Sequence, residues 1–169
     1  MTLQIRAATL EDAGALSILH AASWRASYAP FVQAEALGAP LDAAMAARWG
    51  TWPADRLILV AERGGALLGF GAVVRGQVPL LDNLHVSPDA RSGGIGATLL
   101  RSVCKALAVE GARTLRLNVI EANPRARWFY RRLGGVEGPA VDDTLLGHMV
   151  RMVPAHFPEA VFAGLSQEL

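Results

Sequence analysis

Leu81–Leu100 reads LDNLHVSPDARSGGIGATLL. It begins as a short apolar strand, breaks at Pro88, crosses a basic glycine loop, and continues as an amphipathic helix that opens on the glycines. A helix starting on glycine points unpaired N–H groups and the positive end of its dipole outward, and small residues let a large anion approach that backbone. Arg91, just upstream, adds a fixed positive charge. The stretch is a place to hold phosphate.

Two phosphate loops can be compared with it. A P-loop needs G-x-x-x-x-G-K-[ST], and no Gly-Lys-Ser or Gly-Lys-Thr occurs in the chain. The dinucleotide fingerprint G-x-G-x-x-G is met by Gly94 and Gly96 but fails at Leu99, and Ser87–Ser92 separate the glycines from the strand they should follow directly. Glu121, after the strand Thr114–Ile120, could imitate the ribose-binding carboxylate of that second motif.

A third pattern fits better. Val86, Pro88, Arg91, Gly94 and Gly96 fill V-x-P-x-x-R-x-x-G-x-G, which resembles the acetyl-CoA loop of the GNAT N-acetyltransferase superfamily. A second block runs from Leu117-Asn118-Val119 through Asn123 to Ala126–Gly134, and it resembles that family's next motif. There an asparagine caps a helix and a tyrosine, here Tyr130, lies seven residues on. The opening IRAATLEDAGALSILHAASWRASY, Ile5–Tyr28, is also similar to the start of many members, so the resemblance covers roughly residues 3–153.

The resemblance implies an α/β fold: a mixed, mostly antiparallel central sheet of about six to seven strands flanked by about four helices. It also implies one acetyl-CoA-dependent N-acetyltransferase domain over 1–153, followed by a tail at 154–169. Local signals agree in outline. Leu3–Ala7 reads as a strand, Thr9 and Asp12 as an approximate capping box, and Leu10–Ser27 as a helix ending before Pro30. Leu41–Trp49 suggests a second helix. Arg56–Glu62 reads as a strand buried on both faces, and Arg63-Gly64-Gly65-Ala66 as the hairpin turn into Leu67–Val74. Val78–Val86 is the next strand. Leu99, Leu100, Val103 and Leu107 form the apolar stripe of the glycine-led helix, which Gly111 ends. Pro124 suits a first helical turn capped by Asn123, and Gly134-Gly135 stops that helix. A last strand is expected near Gly147–Val153, then a proline-broken tail over Pro154–Leu169.

Composition suits a small enzyme. A chain of 169 residues is enough for one core. A net charge of +1 gives no electrostatic case for nucleic acid or an anionic membrane. The single cysteine, Cys104, excludes an intrachain disulfide framework and fits a reducing compartment, and no apolar run approaches the roughly 20 residues of a membrane span. The N-terminal residues lack a signal-like apolar core, so the cytoplasm is expected.

The family's chemistry then assigns roles by position. Leu84 and Val86 would offer main-chain groups to the pantetheine arm. Arg91, Ser92, Gly93, Gly94, Gly96 and Ala97 would surround the pyrophosphate, and Asn123 and Tyr130 would touch the cofactor. Tyr130 matches the tyrosine that protonates the departing thiolate. A general base is harder to place, because Asn118 stands where some members carry a glutamate. His85, with an ordinary pKa near ~6.5, and Asp82 are the candidates, with a water chain from either as a further route. Asp82 could instead bind the acceptor's ammonium, and Trp24, Tyr28, Trp49 and Trp52 could wall the acceptor pocket. Lacking an obvious strong base, the chain leans toward an acceptor of low pKa: a lysine-like amine costs ~4 kcal/mol to present neutral near pH 7.4, an α-amine under ~1. The expected cofactor is acetyl-CoA, with no metal, and the acceptor a small-molecule or peptide amine. Homodimers are common in the family. The competing reading is a catalytically silent acyl-CoA-binding or sensor module.

Overall fold

The computed structural model describes residues 1–30, 32–91, 93–145 and 148–167. Within them lie eight strands: β1 (Gln4–Ala7), β2 (Arg56–Arg63), β3 (Ala66–Val74), β4 (Leu80–Val86), β5 (Leu115–Ile120), β6 (Val136–Glu137), β7 (Val141–Leu145) and β8 (His148–Phe157). Five α-helices accompany them: α1 (Ala13–Tyr28), α2 (Ala39–Gly50), α3 (Ile95–Val109), α4 (Pro124–Arg132) and α5 (Glu159–Gln167). One sheet runs β1-β2-β3-β4-β5-β8, with β6 and β7 both on the far edge of β8. All pairings are antiparallel except β4 with β5.

The sheet carries a core on each face. Strand β2 shows why its sequence alternates so poorly: Leu57, Leu59 and Ala61 enter one core while Ile58 and Val60 enter the other. On the first face the α3 stripe Leu99, Leu100, Val103 and Leu107 packs with Phe157, Phe162 and Leu165. On the second, Leu16 of α1 and Leu41, Met45 and Trp49 of α2 pack over Phe70. Helix α1 is preceded by a 3-10 turn at Leu10–Asp12, where the Asp12 carboxylate accepts the Thr9 N–H at 2.8 Å and a fork from Arg6.

Two sequence expectations are corrected. The last strand does not stop at Val153. It runs to Phe157, and most of the expected tail forms α5, which buries Phe162 and Leu165 against α3. Gly147, Glu168 and Leu169 lie outside the described residues. Pro154 is tolerated inside β8 because of where its missing N–H would point. Its carbonyl accepts from Gly138 N at 2.8 Å, on the β6–β7 side, and the two polar groups of a strand residue face the same side. The pairing with β7 ends at Met152 and that with β6 begins at Ala155, so no ladder bond is required there. The second correction is that β6 and β7 were not anticipated; Val141–Leu145 is almost wholly exposed and has no apolar alternation to read.

The pairing of β4 is what positions the site. It meets β5 in parallel only at Leu80↔Arg116 and Leu81↔Leu117. Just beyond, β4 carries a bulge: Val73 pairs with Leu81 but Ala72 with Asn83, leaving Asp82 as the extra residue. A bulge bends its strand and resets the alternation of side chains. Leu81 and Leu84, three apart, therefore both serve the α3 core, while His85 packs against Phe70 on the α1 side. From Asp82 onward β4 keeps only β3 as partner among the described residues, and the sheet opens into a wedge.

Candidate active site in the cleft between β4 and β5

A cleft of about 1420 Å³ fills this wedge, walled by β4, β5, α1, α2, the start of α3 and α4. Ordinary small-molecule pockets run to about 300–1,000 Å³, so a larger ligand or two ligands fit. The open edge of β4 faces it with unpaired main chain. Ser87 N donates to Leu68 O at 2.8 Å, toward β3. Alternation along the strand turns the amides of Leu84 and Val86 the other way, into the cleft, while their side chains pack on the α3 core. One Val86 carbonyl contact is already made, a long one from Arg91 Nε at 3.4 Å.

The glycine loop closes one end. Gly94 sits at φ +77° as N-cap of α3 and supplies no side-chain cap, so the first-turn amides of Ile95, Gly96 and Ala97 lack helix partners. A Cβ on Gly96 would stand 3.5 Å from the Phe129 ring and 3.7 Å from Val86, ordinary contacts. Packing does not demand glycine there, whereas a ligand approaching the helix end would. Gly94, Gly96 and Ala97 line the cleft; Gly93 is exposed just outside it. Ser92 lies outside the described residues.

Arg91 does not point along the loop. Its guanidinium reaches to α1, 3.2 Å from Ser27 Oγ and 3.5 Å from Ser23 Oγ. Burial and the nearby charge of Arg125 lower its pKa. Four further arginines line the cleft, Arg48, Arg101, Arg125 and Arg132, and the sequence reading did not single them out. For Arg125 and Arg132 the signal was present in PRARWFYRR but hidden by a net charge near zero.

Tyr130 enters from α4, whose first turn is set by Pro124 and by the Asn123 side chain accepting Ala126 N at 3.1 Å. Its ring packs on Phe129 and Phe157, at 5.1 and 6.5 Å between centroids. Burial, with a smaller contribution from Tyr28, pushes its phenol above the usual range, so it stays protonated at any working pH. Tyr28 and Trp24 pack edge to face at 4.8 Å on the α1 wall.

His85 and Asp82 occupy the α1–α2 side. His85 Nδ1 lies 2.8 Å from Ser23 Oγ. Burial first, then the charges of Arg91 and Arg48, lower its pKa to about 4 against a smaller opposing effect of Asp82. Asp82 Oδ2 takes Arg48 at 2.5 Å, Arg56 at 2.8 Å and the Asn83 amide at 3.0 Å. Behind them His20, 1% exposed, accepts the Trp49 indole N–H at Nδ1, 3.1 Å away, and among the described residues its Nε2 has no partner. Trp49 is therefore core rather than pocket wall, and Trp52 packs on it at 6.2 Å outside the cleft lining. Asn118 lines the opposite wall on β5.

Residues 21–135 match the model of the acetyltransferase (GNAT) family. The chain belongs to the GNAT family. It is an acyltransferase, in keeping with relatives such as an uncharacterised N-acetyltransferase of Mycobacterium bovis, 29% identical over 130 residues that span 74% of this chain and 83% of that one. Solved structures repeat the fold. A GCN5-related N-acetyltransferase of Rhodopseudomonas palustris superposes with a TM-score of 0.77 at 24% identity, covering 94% of this chain and 96% of the other. The PaiA N-acetyltransferase of Thermoplasma acidophilum, solved in complex with coenzyme A, gives 0.71 at 23% identity over 90% and 98%. The splayed β4–β5 pair and glycine-led α3 are thus parts of a GNAT fold. Among the described residues no helix is long and apolar enough to cross a membrane.

Proposed function

We propose that this GNAT protein moves an acetyl group from acetyl-CoA to an amine by direct attack, both substrates lying together in the β4–β5 cleft. The observation that carries the reading is the bulged, half-unpaired β4: its free main chain, the uncapped start of α3 and the Tyr130 hydroxyl all border one cavity. The T. acidophilum protein holds coenzyme A on the same fold. The cofactor supplies an acyl group activated as a thioester.

The roles follow from placement. Leu84 and Val86 offer strand-like hydrogen bonds to a pantetheine arm, and an amide on this edge polarises the thioester carbonyl; one such donor is commonly worth about 3–4 kcal/mol of barrier. The amides of Ile95, Gly96 and Ala97 take the pyrophosphate. Arg91, braced on α1, supports that charge beside Gly93 and Gly94. Asn123 holds α4, and with it Tyr130, at the cleft. Tyr130 donates its hydroxyl hydrogen bond to sulfur as the C–S electron pair departs, while the amine's nitrogen forms the new C–N bond. His85, with Nδ1–H donated to Ser23, keeps Nε2 as acceptor for the proton the attacking nitrogen sheds. A base near 4 cannot strip an ammonium efficiently, so this site suits an amine that arrives neutral. Asp82, held by two guanidiniums, organises the α2 wall instead. Trp24 and Tyr28 flank the acceptor. A reducing compartment, the cytoplasm, suits the lone Cys104.

The decisive test is release of free coenzyme A from acetyl-CoA across a panel of amines. Amine-dependent release supports the transferase. Tight coenzyme A binding with no release for any amine would leave an acyl-CoA-binding module.

A further inference from the structure

We propose that the acceptor carries a carboxylate close to its amine, and that Arg48 on the α2 wall reads it. This names the substrate class of the transferase above and rests on that reading. Arg48 and Arg56 converge on one oxygen of Asp82, so two cations share one anion and the group keeps a net positive charge. Arg48 lines the cleft with its side chain 38% exposed, and among the described residues only one of its nitrogens has a hydrogen-bond partner. A guanidinium with free N–H groups in a partly desolvated wall matches the planar fork of a carboxylate.

The surroundings favour an anion there. The other carboxylate lining the cleft, Asp143 on β7, lies three strands away across β5 and β8. Arg91 adds positive charge from the far side of His85. The charges of Arg48 and Arg91, which add to burial in disfavouring a proton on His85, also oppose an incoming ammonium. They repel polycations and favour a neutral amine, while a carboxylate on the same molecule gains a charge-assisted contact. The aromatic edge of Trp24 and Tyr28 leaves room for an apolar substituent.

Matched pairs test this: phenylalanine against phenethylamine and phenylalanine amide, lysine against cadaverine, each with acetyl-CoA and free-thiol readout. The carboxylate-bearing member should show kcat/KM at least tenfold higher. Arg48→Gln should abolish that ratio, whereas Asp82→Asn, which frees both guanidiniums, should keep or enlarge it. Equal or better turnover of the decarboxylated members overturns the proposal while leaving the transferase intact. A binding arm decides the case without turnover: N-acetylphenylalanine, but not N-acetylphenethylamine, should raise the melting temperature of the coenzyme A complex, and Arg48→Gln should remove the rise. Equal shifts, or none, overturn the carboxylate site; coenzyme A release from no amine at all overturns the transferase reading instead.

Discussion

The imidazoles of His20 and His85 lie 4.7 Å apart, one on α1 and one on β4, and both are held as neutral rings. Burial is the main cause in each; the charges of His85 and Arg48 add to it at His20, and those of Arg91 and Arg48 at His85, bringing the two to about 2 and about 4.

A group whose folded pKa is depressed contributes stability that is fully present above its unfolded value and lost as pH falls toward the folded one. The unfolded chain binds these protons first, near ~6.5. Stability should therefore drop between pH 6.5 and 4, by up to about 3 kcal/mol from His85 alone. Urea titrations at pH 7 and 4.5 check this, and His85→Gln should flatten the dependence. A wild-type stability constant over that range would contradict the buried neutral pair.

The same shift moves the rate profile. An unperturbed histidine base would put a limb near pH 6–7; here the His85 limb should fall near 4–5, and between pH 5.5 and 8 only the acceptor's own amine should titrate. Arg91→Ala removes a neighbouring positive charge, so the His85 pKa read by NMR should rise. His85→Gln should reduce turnover most for high-pKa amines.

Tyr130→Phe keeps the ring and its packing on Phe129 and Phe157 and loses only the hydroxyl. Coenzyme A binding should persist while kcat falls roughly ten- to a thousandfold, about 1.4–4 kcal/mol. The defect should shrink with thioesters of more acidic thiols, which single-turnover assays can read. Wild-type turnover would reduce Tyr130 to a packing aromatic.

Two glycines should separate fold from ligand. Gly69→Ala places a Cβ 2.8 Å from the His85 carbonyl and 3.1 Å from Leu99, so it should lower the melting temperature of the free protein by a clear margin. Gly96→Ala meets only ordinary contacts and should leave that stability within about 1 kcal/mol, yet weaken coenzyme A binding at least tenfold. Unchanged affinity would remove the α3 start from the cofactor site.

How much of this was legible follows from the range of the forces involved. Local patterns carried the α3 stripe, the two-faced β2, the Asn123 cap and the loop from Val86 to Gly96, because each depends on neighbours in sequence. The bulge at Asp82 has no such signal, and it decides which β4 side chains face which core. The union of Arg48, Arg56 and Asp82 and the depressed pKa of His85 are products of packing between distant elements. Helix α5 could have been read: Pro158 and Glu159 open it, and Val161, Phe162 and Leu165 fall at helical spacing. Pro154 obscured it by suggesting an end to order where β8 in fact continues.

The position of β8 has a consequence for biosynthesis. It is the antiparallel partner of β5, β6 and β7 alike, and it follows every one of them in the chain. While Met152–Phe157 are still inside the ribosomal tunnel, β5 presents an edge without its antiparallel neighbour, and the β6 and β7 segments have no ladder to join. The α1–β4 half can gather beforehand, but the wall bearing Asn118 and Met152 cannot be completed until β8 has emerged. A pause before β8 emerges would thus hold a nascent chain with one half of its cleft formed and a sticky strand edge exposed to its neighbours.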